Sequence, residues 1–148
     1  MAGFLDGDGS IYVRLKPNKT YRYRFQIALN IVFFQSNRGK RVLKKIQEDL
    51  KIGYIRQRND GITEYIIGDE ESIKLFLNQI ISFLKFKKKQ ALLMLEILTA
   101  KEKIKNSNNF LSVAKKIDKF EKLNYSKRRT QTSLTVKKVL KNEGLLTP

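Results

Sequence analysis

Apolar and polar residues alternate most regularly between Gly9 and Phe34. Ile11, Val13 and Leu15 alternate with Tyr12, Arg14 and Lys16, the period of a strand buried on one face. Pro17-Asn18-Lys19-Thr20 predicts a turn. In a second, longer strand Phe25, Ile27, Leu29, Ile31 and Phe33 share one face. Arg24, Gln26, Ala28, Asn30, Val32 and Phe34 share the other, which starts basic and polar and turns apolar toward its end.

The period then lengthens. Arg38 to Leu50 reads as a helix with Val42, Leu43, Ile46 and Leu50 on one side. Residues 54–58 and 62–67 flank Asn59-Asp60-Gly61 and predict a second hairpin. Asp69 can cap a helix running to about Leu84, with Glu70 and Glu71 in its first turn. A further helix is expected from Lys85 to about Lys105, then one capped by Asn108 or Asn109 through Leu123. A basic loop, Ser126-Lys127-Arg128-Arg129, precedes a last helix from Ser133 to Glu143. The fold class is therefore α+β. Two hairpins make a four-stranded antiparallel sheet with helices on one face and the other face open.

Charge changes what that open face means. The 148 residues carry 31 Lys plus Arg against 14 acids, a net charge of +17. Such an imbalance points to a polyanionic partner, with nucleic acid as the default. No apolar run approaches the length of a membrane span, so no membrane partner is expected. The open face would hold Tyr12, Arg14, Lys16, Arg24, Gln26, Asn30, Arg56, Arg58 and Glu64, with Asn18 in the adjoining turn. Arg, Gln and Asn are the side chains that read base edges bidentately. Lys127 and Arg128, in a loop without strand period, are expected at phosphates. A strand of about ten residues spans about 33 Å, close to one turn of B-DNA. The chain has no Cys and no His, so zinc fingers, thiol chemistry and imidazole bases are excluded. Any metal must be held by oxygen.

The candidate chemistry lies at the start, in Ala2-Gly3-Phe4-Leu5-Asp6-Gly7-Asp8-Gly9-Ser10-Ile11. Ala2, Gly3 and Gly7 are small residues on or near one face of a short helix, which lets two helix backbones approach closely. Gly9 stops the helix, so Asp6 and Asp8 sit at its negative end, where carboxylates are unfavourable unless a cation offsets them. A calcium loop starting at Asp6 would need Gly at position 11 and Glu at position 17. Those positions are Ile11 and Pro17.

From Ala2 to Gly9 the segment resembles the motif that defines the LAGLIDADG homing endonucleases, with Met1 at the usual Leu position. The resemblance extends along nearly the whole chain. It implies an αββαββα core over about residues 1–84, a saddle-shaped sheet on DNA, and C-terminal helices over about 85–148, all in one endonuclease domain. No second copy of the motif occurs, which places the chain in the single-motif branch, whose members are homodimers encoded by group I introns in organelles. Ala2, Gly3 and Gly7 would then lie at the dimer axis. Asp8 matches the family's metal-binding acid and Gly7 the position whose carbonyl helps hold metal. Gln35 matches a polar residue beside the catalytic water, and Lys87 the active-site lysine. Where the family has a basic residue four positions after the glutamine, this chain has Gly39, with Arg38 and Lys40 beside it. Asp6 is left outside the metal set. The motif helix of the family begins a turn or more earlier, which implies residues missing here.

The activity implied is magnesium-dependent double-strand cleavage of a long pseudo-palindromic DNA site, leaving 3′ overhangs. Manganese is expected to substitute, and calcium to bind without supporting cleavage. No small-molecule substrate is expected. The alternatives are a non-cleaving protein of the same fold, such as an intron maturase or regulator, and a small basic RNA-binding protein. A composition rich in Lys, Ile, Asn and Phe fits an AT-rich organellar genome.

Overall fold

The computed structural model describes residues 1–124 and 131–146 of the chain. Among the described residues the helices and strands follow in the order α1 (Ala2–Asp8), β1 (Gly9–Pro17), β2 (Phe25–Ser36), α2 (Lys40–Leu50), β3 (Tyr54–Gln57), β4 (Ile62–Ile67), α3 (Glu70–Ile80), α4 (Lys88–Glu102), α5 (Ser107–Asp118), α6 (Phe120–Leu123) and α7 (Ser133–Asn142). The sheet is four-stranded with order β1-β2-β4-β3. The fold class is the α+β arrangement that the alternation predicted.

The chain divides into two compact units. The first comprises Met1–Ile11 and Leu29–Ala91. Its core centres on Phe33, whose ring stacks on Phe4 and Tyr65 at 5.3 and 5.7 Å and meets Phe76 edge-on at 6.0 Å. The antiparallel registers pair Phe34 with Glu64 and Glu64 with Arg56, so these three side chains share one side of the sheet. The Tyr65 hydroxyl donates to the Ile52 carbonyl at 2.6 Å, and burial pushes its pKa up to about 12. Gly53 makes this corner possible. Its φ is +74°, and a Cβ there would lie 2.5 Å from the Ile66 carbonyl oxygen.

The second unit comprises Tyr12–Ala28 and Leu92–Pro148. Val13, Leu15, Phe25 and Ile27 of its hairpin strands are buried, as are Met94, Ile97, Leu98, Val113, Ile117, Val136 and Leu140 of its helices. Helices α5 and α7 pack together. Asp118 accepts from the Ser133 backbone N–H and hydroxyl, which caps α7 from outside its own sequence.

Several boundaries differ from expectation. The helix was expected from Arg38, but Asn37–Gly39 form a tight turn and α2 begins at Lys40. Asp69 does cap α3, accepting from Ser72 N–H at 2.9 Å, but α3 ends at Ile80 and a tight turn follows over Ile81–Phe83. The cap of α5 is Asn106, not Asn108 or Asn109. It accepts from Asn109 N–H at 2.8 Å, and the Asn109 side chain accepts from Lys105 N–H at 3.1 Å. Residues 85–87 stay outside α4 because their amides are held elsewhere, as described next.

Candidate active site and nucleic-acid interface

Helix α1 ends where Gly9 turns into β1, with extended backbone and its N–H on the Leu5 carbonyl. The last carbonyls of such a helix have no helical partner, and that of Gly7 is among them. Gly3 and Gly7 are both exposed, four residues apart on one face, and a Cβ at either would meet nothing within 4 Å. Ala2 is instead buried within its own unit, at 9% exposure. The open small-residue stripe is therefore Gly3 and Gly7.

The two acids of the motif have opposite surroundings. Asp6 Oδ2 accepts from Lys85 N–H at 2.8 Å, and Oδ1 accepts from Phe86 and Lys87 N–H at 3.1 and 2.9 Å. Burial opposes its charge, but the N–H groups of Lys85, Lys87 and Phe86, with the Lys87 ammonium, outweigh it and hold the carboxyl below the ordinary range. The expectation that both acids need a cation is thus corrected for Asp6, which is satisfied by backbone. Asp8 is exposed. The Gln35 side-chain amide donates to its Oδ2 at 3.4 Å, a long bond, and no ion pair to it occurs among the described residues.

Gln35 lies near the end of β2, half-buried. Gly39 sits beneath it, and a Cβ there would be 2.7 Å from Gln35 Oε1 and 3.1 Å from its Cβ. Lys87 is half-buried, and its Nζ donates to the Asp6 carbonyl at 2.7 Å. The structure therefore brings Gln35 to Asp8 and ties Lys87 to the same helix two residues earlier. The contact of Asp6 with residues 85–87 had no local signal in the sequence: Leu84-Lys85-Phe86-Lys87 shows only that this stretch has no short polar side chain to hold its own N–H groups.

The expected DNA-facing residues divide similarly. Tyr12, Arg14 and Lys16 alternate on β1, with the Arg14 guanidinium 5.1 Å from the centre of the Tyr12 ring. Gln26 and Asn30 alternate on β2, both half-buried. Asn18 organises its turn, its side-chain oxygen accepting from Thr20 N–H at 3.0 Å. Arg24 is not on the strand. It has φ +67° in the turn before β2 and pairs with Glu143. Arg58 falls one residue beyond β3, and its N–H bonds to the Ile62 carbonyl at 2.8 Å. Glu64 is on the expected face but buried, with 8% of its side chain exposed. Arg56 Nη2 lies 2.7 Å from its Oε2, and Arg58 Nη1 lies 3.5 Å from its Oε1. Arg58 also pairs with Asp60 at 2.5 Å. Lys127 and Arg128 lie outside the described residues.

Comparison with known proteins settles the family. Residues 1–95 match the LAGLIDADG endonuclease model. The chain belongs to the LAGLIDADG endonuclease family. It is 38% identical to DNA endonuclease I-CreI of Chlamydomonas reinhardtii over 141 residues, which is 95% of this chain and 86% of the relative. It is 31% identical to DNA endonuclease I-CvuI of Chlorella vulgaris over 144 residues, 97% and 89% of the two chains. Both organisms are chlorophytes. A crystal structure of I-CvuI in complex with the I-CreI target, with 2 mM Mg and the DNA uncleaved, superposes with a TM-score of 0.93. It is 30% identical and covers 99% of this chain and 93% of that one. A second I-CvuI complex, with its own target, was obtained in 2 mM Ca.

The donors of this LAGLIDADG endonuclease suit an oxygen-preferring divalent cation. An exposed carboxylate, Asp8, adjoins a last-turn carbonyl, Gly7, at the negative end of a helix. Among the described residues there is no cluster of three or more metal-ligating side chains. A cation bound here would draw its other oxygens from outside the chain. No helix among the described residues is long and apolar enough to cross a membrane.

Proposed function

We propose that this homing endonuclease cuts both strands of a long, pseudo-palindromic DNA site as a homodimer. One observation carries the reading. A helix lined with glycine on its open face ends in an exposed carboxylate, Asp8, whose neighbour is a polar amide rather than a cation. Two such helices packed through Gly3 and Gly7 would bring two Asp8 side chains together at the two-fold axis. Ala2 would support that contact from within its own unit.

Asp8 and the Gly7 carbonyl would hold the divalent ion. Magnesium is the natural cofactor in this reading, manganese substitutes, and calcium binds without supporting cleavage. When bound, the ion supplies Lewis-acid stabilisation and a more acidic water. Gln35 orients the attacking water through its amide. Water oxygen adds to phosphorus, the P–O3′ bond breaks, and the 3′ oxygen takes up a proton. The products are a 5′-phosphate and a 3′-hydroxyl. Lys87 places a positive charge where the phosphoryl oxygens gain negative charge.

The strand faces bearing Tyr12, Arg14, Lys16, Gln26, Asn30, Arg56 and Arg58 would lie against the DNA, with Asn18 and Arg24 at the turn. Glu64 would act from beneath by holding Arg56 and Arg58. Lys127 and Arg128 would touch phosphates. Residues 1–148 would act together as one endonuclease domain, and a group I intron in an organellar genome would encode it. The test is cleavage of a host-gene DNA library with magnesium, manganese, calcium or EDTA, with the ends mapped. Paired cuts with 3′ overhangs in magnesium and manganese only are expected. Tight binding without cutting in any metal would mark a maturase or regulator instead.

A further inference from the structure

Two contacts join Asp6 to the segment before α4, and the cleavage chemistry uses neither directly. Three backbone N–H groups, of Lys85, Phe86 and Lys87, converge on the Asp6 carboxylate at 2.8, 3.1 and 2.9 Å. The Lys87 ammonium reaches back to the Asp6 carbonyl at 2.7 Å. The first contact holds the backbone of the three residues that lead into α4. The second satisfies a last-turn carbonyl of α1. The Lys87 backbone and side chain are therefore both fixed from one residue of the motif helix.

We infer that Asp6 is a positioning residue that sets where the Lys87 ammonium stands relative to Asp8. The inference rests on the reading that Lys87 acts on the scissile phosphate. A carboxylate has roughly four acceptor sites, and three of those of Asp6 are filled by Lys85, Phe86 and Lys87. That leaves it poorly equipped to bind metal and well equipped to clamp a chain. The ammonium has three donors. One is spent on the Asp6 carbonyl, so the others remain directed by that anchor. Asp8 is two residues along the same helix, so the clamp and the metal-binding carboxylate move as one piece.

The test uses the full chain and its mapped DNA site. Asp6→Ala and the near-isosteric Asp6→Asn are made alone and with Lys87→Ala. Asp6→Asn keeps one acceptor oxygen and guards against a loss caused by misfolding. Amide hydrogen exchange is read at residues 85–87, and single-turnover cleavage is followed across magnesium concentrations. Both Asp6 variants should exchange faster at 85–87. Asp6→Ala should slow cleavage by about 10²-fold, the scale set by misplacing a catalytic group by about 1 Å. It should leave the half-saturating magnesium concentration and the DNA affinity in calcium unchanged. In the Lys87→Ala background it should cause no further loss.

An equal further loss in that background, or a raised magnesium requirement, overturns the inference and marks Asp6 as acting by itself. Unchanged exchange overturns the clamp. Wild-type cleavage by Lys87→Ala overturns the role of Lys87 separately, whatever the exchange result.

Discussion

At the end of α1 a carboxylate is left facing solvent, while on the β3–β4 hairpin a carboxylate is buried under two guanidinium groups. Among the described residues Asp8 has one side-chain hydrogen bond, a long one from an amide. Glu64 has Arg56 and Arg58 across it at 2.7 and 3.5 Å. Both acids belong to a strongly basic chain, so a cation could have been placed at either. The hairpin has its charges matched internally, which gives two flexible side chains a fixed arrangement before any ligand arrives. The tip has its charge unmatched, which leaves the balance to something bound. On the proposed function, the difference separates a surface prepared for recognition from a site prepared for chemistry.

The sharpest way to break the comparison is Asp8→Asn. Cleavage in magnesium should fall by about 10³-fold or more, with DNA affinity in calcium kept or improved. A normal rate of cutting removes Asp8 from the reaction. Next comes Gly3→Leu, which puts bulk on the open stripe of the same helix. Sedimentation should show monomer at concentrations where the parent is a dimer, and cleavage should fall in parallel. A monomer that cleaves both strands would overturn the two-fold reading.

The hairpin should respond in kind rather than in rate. Arg58→Ala should relax preference at particular base pairs, by about 1–3 kcal/mol of discrimination. Glu64→Gln should relax it at positions read by either arginine, because one change frees both. A panel of single-base-pair site variants measures this. Uniform weakening at every site would mean that these side chains do not read bases.

A smaller effect is expected from Gly39→Ala. The added methyl would crowd Gln35 Oε1, and cleavage should slow by on the order of tenfold. The same change in a Gln35→Ala background should do nothing.

The smallest effect concerns pH. The Asp6 carboxyl is held below its ordinary value of 3.8. Its contribution to stability is complete above that value and is lost as pH falls through the lower folded value. Thermal unfolding of the parent should weaken through that acid window more than that of Asp6→Asn. Parallel curves would show that Asp6 is not held as described.

Much of this was legible in the sequence. Alternation over Ile11–Lys16 and again over Phe25–Ile31 identified two strands and their buried faces, and it ends at Val32, which is buried on the other face. The motif segment was readable because glycine and aspartate at a helix stop have few other uses together. What was hidden depends on contacts distant in sequence. Asp6 is separated from Lys87 by 81 positions, and no local pattern pairs them. Glu64 followed the alternation rule, yet burial by neighbouring arginines is not a property of its own strand. Arg24 looked like the next step of a strand, but its left-handed backbone belongs to the turn.

The hairpin's place in the strand order has a further consequence. Because the order is β1-β2-β4-β3, β3 is an edge strand with a single neighbour. Its Tyr54 and Arg56 are exposed, while Thr63, Tyr65 and Ile66 of β4 beside it are buried. Replacements at exposed β3 positions such as Tyr54 can therefore accumulate at little cost to folding, whereas Arg56 is tied to buried Glu64 and the buried positions of β4 are held by packing. With the sheet against DNA as proposed, its margin could be rewritten from one target to the next while the strand behind it stays the same.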